Sequence, residues 1–171
     1  MSTQTHPLPD SVECEPGLRK GMGTSKGATH SCPACEFRVN SELNNNSPCP
    51  RCRKRLWFVR RPLGDAVVLT FLSGTGTDSD VFWRVDELRS GLEDFSRFVL
   101  DLSHLPNISS IFLGMLIRLH RRAVRDQERM RICGLHPEVI DVLRASVLSG
   151  LFEVYENEEE ALGADAPGTC P

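Results

Sequence analysis

Residues 98–116 read FVLDLSHLPNISSIFLGML, and this stretch decides the fold class. Its first part, Phe98–Leu102, is a short and mainly apolar run, which is typical of a strand covered on both faces. Pro106 and Asn107 then interrupt any regular element. From Ile111 to Val124 the apolar residues recur at helical spacing, with arginines mostly on the opposite face. The stretch therefore predicts a buried strand, an irregular turn and an amphipathic helix.

The flanking segments continue this alternation of strands and helices. Upstream, Leu56–Val59 and Ala66–Leu72 are predicted strands around a turn at Pro62–Asp65, and the apolar spacing over Val81–Phe95 predicts a helix. Downstream, the predicted elements are a strand, a helix, a second strand and a short acidic helix: Met130–Cys133, Pro137 to about Ser146, Phe152–Tyr155 and Asn157–Leu162. This order predicts an α/β fold with helices packed on one mixed sheet.

Four of the seven cysteines form two C-x-x-C pairs, Cys32/Cys35 and Cys49/Cys52, separated by residues 36–48. Two tight turns at this spacing offer four thiolates to one tetrahedral ion. We therefore predict a small zinc-ribbon-like module that holds a structural Zn²⁺. Iron in a rubredoxin-like electron carrier is the alternative, because four-sulfur tetrahedral geometry does not choose between the two metals. Free thiols are the third possibility.

Composition limits the function classes. A chain of 171 residues with 40% apolar content predicts one principal domain. The 20 basic residues are outnumbered by 23 acidic ones, so the net charge of -3 gives no bulk attraction to nucleic acid or anionic lipid. No apolar run predicts a membrane span or a signal peptide, so we expect a cytoplasmic protein. No nucleophile triad, P-loop or dinucleotide fingerprint occurs, so we expect no enzyme activity. The oligomeric state is not indicated.

The central stretch also resembles a known family. Residues 101–114, DLSHLPNISSIFLG, resemble without gaps the central motif of the STAS family, D-L-S-G-V-x-F-I-D-S-S-G-L-G. Residues 115–122 and 130–139 are similar to the family's next helix and strand, and residues 150–162 to its closing strand and helix. The resemblance is to the anti-sigma-factor-antagonist type, and it implies a STAS-like mixed sheet over the chain that follows the cysteines.

These observations divide the chain into four predicted parts. They are a disordered tail, a four-cysteine zinc knuckle, a STAS domain and a flexible tail: residues 1–30, 31–55, 56–163 and 164–171.

The resemblance also implies where function lies. Family members of this type are non-enzymatic regulators that bind an anti-sigma factor with kinase activity, and phosphorylation of a serine at a helix start breaks or prevents that complex. By position, that serine is Ser110. The expected partner-binding residues are Asp101, Ser109, Ser110, Ile111, Phe112 and Gly114. The family's Asp before the target serine, the Ser after that serine and the Gly that follows are replaced here by Ser109, Ile111 and Phe112. A plain N-cap role for Ser109 or Ser110 is the alternative to phosphorylation.

A nucleic-acid-binding regulator is a further alternative. Residues 49–61 interleave two aromatic residues with basic ones, which are able to contact phosphate while the rings stack on bases: Arg51, Arg53, Lys54, Arg55, Trp57, Phe58, Arg60 and Arg61. The opposing interpretation is that the charges only solvate a small ribbon, while Trp57 and Phe58 belong to the first strand of the sheet. The acidic balance of the whole chain favours this second interpretation.

Overall fold

The structure is a computed structural model, and it describes residues 29–40, 44–82, 84–90, 92, 94–145 and 150–163. The predicted tails therefore lie almost entirely outside the described residues.

One mixed seven-stranded sheet organises the described part of the chain. Its strands are β1 to β7 in chain order: His30–Ser31, Arg38–Val39, Phe58–Leu63, Ala66–Phe71, Arg97–Asp101, Arg129–Cys133 and Glu153–Tyr155. Their spatial order is β2-β1-β3-β4-β5-β6-β7. The pairs from β2 to β4 are antiparallel, and those from β4 to β7 are parallel. In the parallel half, Leu69, Leu100, Ile132 and Val154 lie side by side in one row.

In the described ranges, four α-helices pack on this sheet, α1 to α4: Val85–Ser90, Ser110–Asp126, Pro137–Ala145 and Glu158–Gly163. The longest, α2, buries the same apolar residues that its sequence spacing predicts: Phe112, Met115, Leu116, Leu119 and Ala123. They join the strand residues in the main core. On the other face, Ala161 of α4 covers Val68, Val99 and Cys133. The predicted fold class, a STAS-like mixed sheet with helices packed on it, is confirmed.

The first hairpin differs from its prediction. Strand β3 includes Pro62 and Leu63, which were expected in the turn, and the loop is reduced to Gly64 and Asp65. Gly64 has a φ of 62°, which glycine adopts without steric cost. A proline is tolerated in β3 because the strand's outer neighbour, β1, pairs with it only at Arg60, so β3 has a free edge at Pro62.

The predicted helix over Val81–Phe95 is shorter in the structure. A 3₁₀ helix occupies Ser79–Phe82, and α1 spans only Val85–Ser90. The Ser90 hydroxyl donates to the carbonyl of Glu87, and a serine followed by glycine is a poor continuation of a helix. The apolar spacing correctly predicted burial of this segment, but burial does not require a continuous helix.

The cysteine segment is attached to the same sheet. Its two short strands, β1 and β2, extend the sheet beyond β3 through the pairing of Ser31 with Arg60. Cys32 and Cys49 are buried with Leu56, Val59 and Leu72 in a small second core. The division of the chain at residues 55 and 56 stays a prediction, and the sheet runs across it.

Candidate metal centre and candidate partner groove

The four predicted metal ligands lie together. The Sγ atoms of Cys32, Cys35, Cys49 and Cys52 are all within 4.8 Å of one another. The Cys32–Cys52 and Cys35–Cys49 Sγ pairs are each 3.7 Å apart. A tetrahedral ion with metal–sulfur bonds of about 2.3 Å requires sulfur–sulfur edges of about 3.8 Å. The four residues therefore fit one tetrahedral ion, and their arrangement is compatible with metal binding.

Two equivalent backbone turns produce this arrangement. In each turn, the carbonyl of the first cysteine accepts the N–H of the residue four positions later. These bonds run from Glu36 to Cys32 and from Arg53 to Cys49, both at 2.9 Å. Glu36 and Arg53 occupy the left-handed region, with φ of 59° and 65°. Each turn thus directs its two thiols toward a common centre. Glycine is the usual residue at a left-handed position, and because neither position carries glycine, the sequence did not predict this conformation.

The thiols differ in how readily they ionise, which matters because thiolates are the metal ligands. Burial raises the pKa of Cys32 to about 12. Burial also opposes ionisation of Cys49, but backbone N–H groups of Cys52 and Arg51 donate toward its sulfur and lower its pKa to about 7. The surroundings thus favour ionisation at Cys49 and oppose it at Cys32, and a bound cation would favour the thiolate form of both.

The start of α2 is the second candidate site, and its two serines have different roles. The Ser109 side chain accepts the N–H of Phe112 at 3.1 Å, so Ser109 is the N-cap. Ser110 is the first residue of the helix and is exposed. Ile111, beside it, is 41% exposed. The helix entrance therefore presents a hydroxyl and an apolar side chain to solvent.

A groove lies beside this entrance. Its volume is ≈ 290 Å³, and it is bounded by the 3₁₀ helix and the first turns of α2: Ser79, Phe82, Ser110, Ile111 and Gly114. We call it the Ser110 groove. The Phe82 ring forms one wall, and a Cβ atom at Gly114 would lie 3.6 Å from that ring. Sequence reasoning missed Ser79 and Phe82. The available signal was that Phe82 does not follow the spacing of Val81, Val85 and Leu88, which are all buried.

The loop before α2 is held against the loop after β4. The N–H of Ser109 donates to the carbonyl of Gly76 at 2.7 Å. A Cβ atom at Gly76 would overlap the carbonyl oxygen of Asn107. Only glycine permits this approach of two backbones. Gly76 thus fixes the position from which Ser109 and Ser110 enter the helix.

Two other predicted partner-binding residues lie elsewhere. Phe112 is fully buried and packs edge-on against Phe71, with ring centroids 5.4 Å apart, so it belongs to the core and is not available to a partner. Asp101 is half-buried at the end of β5. Its carboxylate accepts the N–H of Ser103 at 3.0 Å and the hydroxyl of Thr70 at 3.2 Å. Asp101 therefore shapes the loop that leads toward α2, rather than lining the groove.

The proposed nucleic-acid surface loses its stacking residues in the structure. Trp57 and Phe58 are each only 1% exposed, and the Trp57 indole N–H donates to Glu87 at 2.8 Å. Arg60 and Arg61 are also engaged, with Glu36 and Glu158 respectively. Four basic side chains stay exposed without an interleaved ring: Arg51, Arg53, Lys54 and Arg55. Phe58 begins β3 and Trp57 directly precedes it, both in the core, so neither ring is available to stack on bases and the second interpretation of residues 49–61 is favoured.

The chain belongs to the STAS domain family, whose model matches residues 31–161. Solved structures with a similar fold include a candidate anti-sigma factor antagonist of Thermotoga maritima (TM-score 0.52, 21% identity, 63% of this chain and 92% of that chain). A variant of RsbS from Moorella thermoacetica is also similar (TM-score 0.53, 21% identity, 61% and 91%). So is the anti-sigma factor antagonist SpoIIAA in its unphosphorylated form (TM-score 0.52, 18% identity, 63% and 94%). At these identities the likeness establishes the fold.

No curated protein matches the chain. Among the described helices, none combines the length and the apolar character needed to cross a membrane.

Proposed function

We propose that this chain is a regulatory protein-binding module of the anti-sigma-factor-antagonist type, that it acts in the cytoplasm, and that its partner is an anti-sigma factor of serine-kinase character. The observation that carries the proposal is the exposed entrance of α2. Ser110 and Ile111 face solvent beside the Ser110 groove, in a chain of the STAS family. An exposed apolar residue at the rim of a concave surface is suited to protein contact.

Phosphorylation of Ser110 is the switch that we assign to this contact. The different positions of the two serines support this assignment, because Ser109 caps the helix and Ser110 lies exposed at the rim of the groove. A phosphate there would add nearly two negative charges at the positive end of α2, which stabilises the phosphate itself. When an apolar partner surface covers Ile111, it would also remove water from the phosphate. Because desolvation of these charges costs free energy, phosphorylation opposes docking.

Binding measurements on purified proteins test the docking site. The kinase-like anti-sigma factors encoded in the same genome are titrated by calorimetry with the zinc-loaded chain and with Ile111→Arg and Ser110→Glu. Both variants are expected to bind at least about tenfold more weakly, which corresponds to about 1.4 kcal/mol. The matched control is Val142→Arg, which changes an exposed apolar residue on α3. Equal binding by wild type, Ile111→Arg and the control would remove the groove from the proposal.

Phosphotransfer tests the switch separately. The same anti-sigma factors are incubated with ATP and the chain, and the phosphorylated residue is located by mass spectrometry. Phosphate on Ser110, and its absence from the Ser110→Ala variant, are the expected results. Phosphate on another residue, with Ser110 unmodified, would show that Ser110 serves only as the first helical residue.

We further propose that the four cysteines hold a structural Zn²⁺. The support is the fit between the 3.7 Å Sγ separations and a tetrahedral four-thiolate site. An ion bound there would tie the two cysteine turns together and stabilise the edge of the sheet formed by β1 and β2. Elemental analysis of the purified chain should give one equivalent of zinc in a colourless protein. A red protein with iron would support the electron-carrier alternative instead.

A further inference from the structure

The outward face of α2 carries a row of four arginines. Arg118, Arg121, Arg122 and Arg125 follow the spacing i, i+3, i+4 and i+7, which places them on one side of the helix. Together with Val85 of α1 they line a second cavity of ≈ 250 Å³. We call this row the arginine stripe.

Among the residues that the structure describes, carboxylates neutralise only part of the stripe. Asp126 pairs with Arg122 at 3.3 Å and with Arg125 at 3.0 Å, and Asp86 reaches Arg122 at 4.0 Å. Arg118 and Arg121 are exposed toward solvent. The stripe is therefore a positive region on a chain whose net charge is -3. A local excess of charge that opposes the whole favours a partner of opposite sign.

The stripe adjoins the Ser110 groove, and we call the two surfaces together the trough. The Arg118 guanidinium lies over the Phe82 ring, 5.6 Å from its centroid, and Phe82 is a wall of the Ser110 groove. Along α2, the distance from Ser110 to Arg125 is about 22 Å at 1.5 Å per residue. The trough is thus apolar at the start of α2 and basic toward its end. Such a surface suits a helix with an apolar anchor at one end and acidic residues along the rest.

We propose that this trough binds an acidic amphipathic helix of a protein partner. An apolar side chain of that helix packs between Phe82 and Ile111, and its carboxylates pair with Arg118 and Arg121. The inference rests on the proposed function and specifies the chemistry of the partner's docking face. A small anion fits less well, because Asp86 and Asp126 already pair with Arg122 and Arg125 at the same cavity. Nucleic acid fits less well, because the Ile111 end of the trough offers it no charge.

A peptide selection tests this inference without a known partner. A displayed library of helical peptides of about 20 residues, long enough to span the trough, is selected on the zinc-loaded full chain. Enriched peptides are then synthesised, and their dissociation constants are measured by fluorescence anisotropy. We expect Asp or Glu at helical spacing, with an apolar residue about two turns away.

Charge reversal shows where the peptides bind. The double variant Arg118→Glu with Arg121→Glu should weaken binding by about tenfold or more. Arg144→Glu, on α3, is the matched control for reversal of an exposed arginine. Peptides with Glu changed to Lys should regain affinity for the double variant. Circular dichroism of each variant confirms that it is folded.

Several results would overturn the inference. These are enrichment of neutral or basic peptides, equal weakening by Arg144→Glu, and failure of the charge-swapped peptides to bind the double variant. Tighter binding to duplex DNA or to phosphatidylglycerol vesicles than to any acidic peptide, lost in the double variant, would assign the stripe to another class of ligand. If acidic peptides bind but no anti-sigma factor does, the trough stands and the proposed partner class fails. If an anti-sigma factor binds without an effect of the double variant, only the present inference fails.

Discussion

Replacing Gly76 with alanine should destabilise the fold and displace the start of α2. The new Cβ atom would overlap the carbonyl oxygen of Asn107 and would lie 3.4 Å from Cγ2 of Ile108, so one of the two backbones must move. Overpacking of this kind costs about 1–3 kcal/mol. Movement would also weaken the 2.7 Å bond from the Ser109 N–H to the Gly76 carbonyl, which contributes about 1 kcal/mol. The expected loss in the free energy of unfolding is thus about 2–4 kcal/mol.

Thermal unfolding of the zinc-loaded protein measures this loss. For a chain of this size, about 2–4 °C per kcal/mol predicts a fall in Tm of about 4–16 °C. Gly163→Ala is the matched control, because a Cβ atom there meets nothing within 4 Å. Hydrogen exchange of the Ser109 amide should accelerate in Gly76→Ala and not in the control. A Gly76→Ala protein as stable as Gly163→Ala would refute the close approach on which this reasoning depends.

Three further predictions concern the helix start, an acidic side chain and the metal centre. Ser109→Ala should lose about 1 kcal/mol in urea unfolding, whereas Ser110→Ala should change stability by less than about 0.5 kcal/mol, because Ser109 alone accepts the capping N–H. Burial opposes ionisation of Asp78, but hydrogen bonds and a nearby arginine lower its pKa below the ordinary value. The ionised Asp78 should therefore stabilise the fold at pH values above the ordinary carboxyl pKa, and this stabilisation should disappear as the pH falls through the lowered pKa of Asp78. The measurement is the difference in unfolding free energy between wild type and Asp78→Asn, which should decrease as the pH falls. Cys49→Ser should lose the metal in elemental analysis and accelerate amide exchange at Ser109, and retained zinc would contradict the assigned ligand set.

The sequence predicted the parts of the fold that depend on burial. The succession of the strands β3 to β7 along the chain and the buried face of α2 follow from apolar spacing, because spacing records which residues meet the core. Strands β1 and β2 were not predicted. The hairpin turn was misplaced because Pro62 was taken as a turn residue, and its position on a free edge of β3 depends on the neighbouring strand. The length of the helix over Val81–Phe95 was overestimated because a 3₁₀ helix and a short α-helix bury the same residues.

The two sites were predictable to different degrees. The cysteine cluster follows from two local turns, so spacing alone identified the four cysteines that lie together. The Ser110 groove depends on how the 3₁₀ helix lies against α2, and a motif carried by α2 cannot name Ser79 or Phe82 on the opposite wall. Phe112 also shows that a motif does not indicate which residues are exposed. It lies within the motif, but its angular position on α2 directs its side chain into the core.

The cysteine turns and the start of α2 are mechanically linked through the loop after β4. Ahead of the second cysteine pair, the N–H of Asn45 donates to the carbonyl of Ser73, and its side-chain amide donates to Asp78, both at 2.9 Å. Gly76 lies between those two contacts and holds Ser109 through its carbonyl. The loop is therefore supported by the cysteine segment on one side and supports the helix cap on the other. Because local order propagates through such shared contacts, loss of the ion should increase the mobility of the backbone at the Ser110 groove, although no cysteine lines the groove.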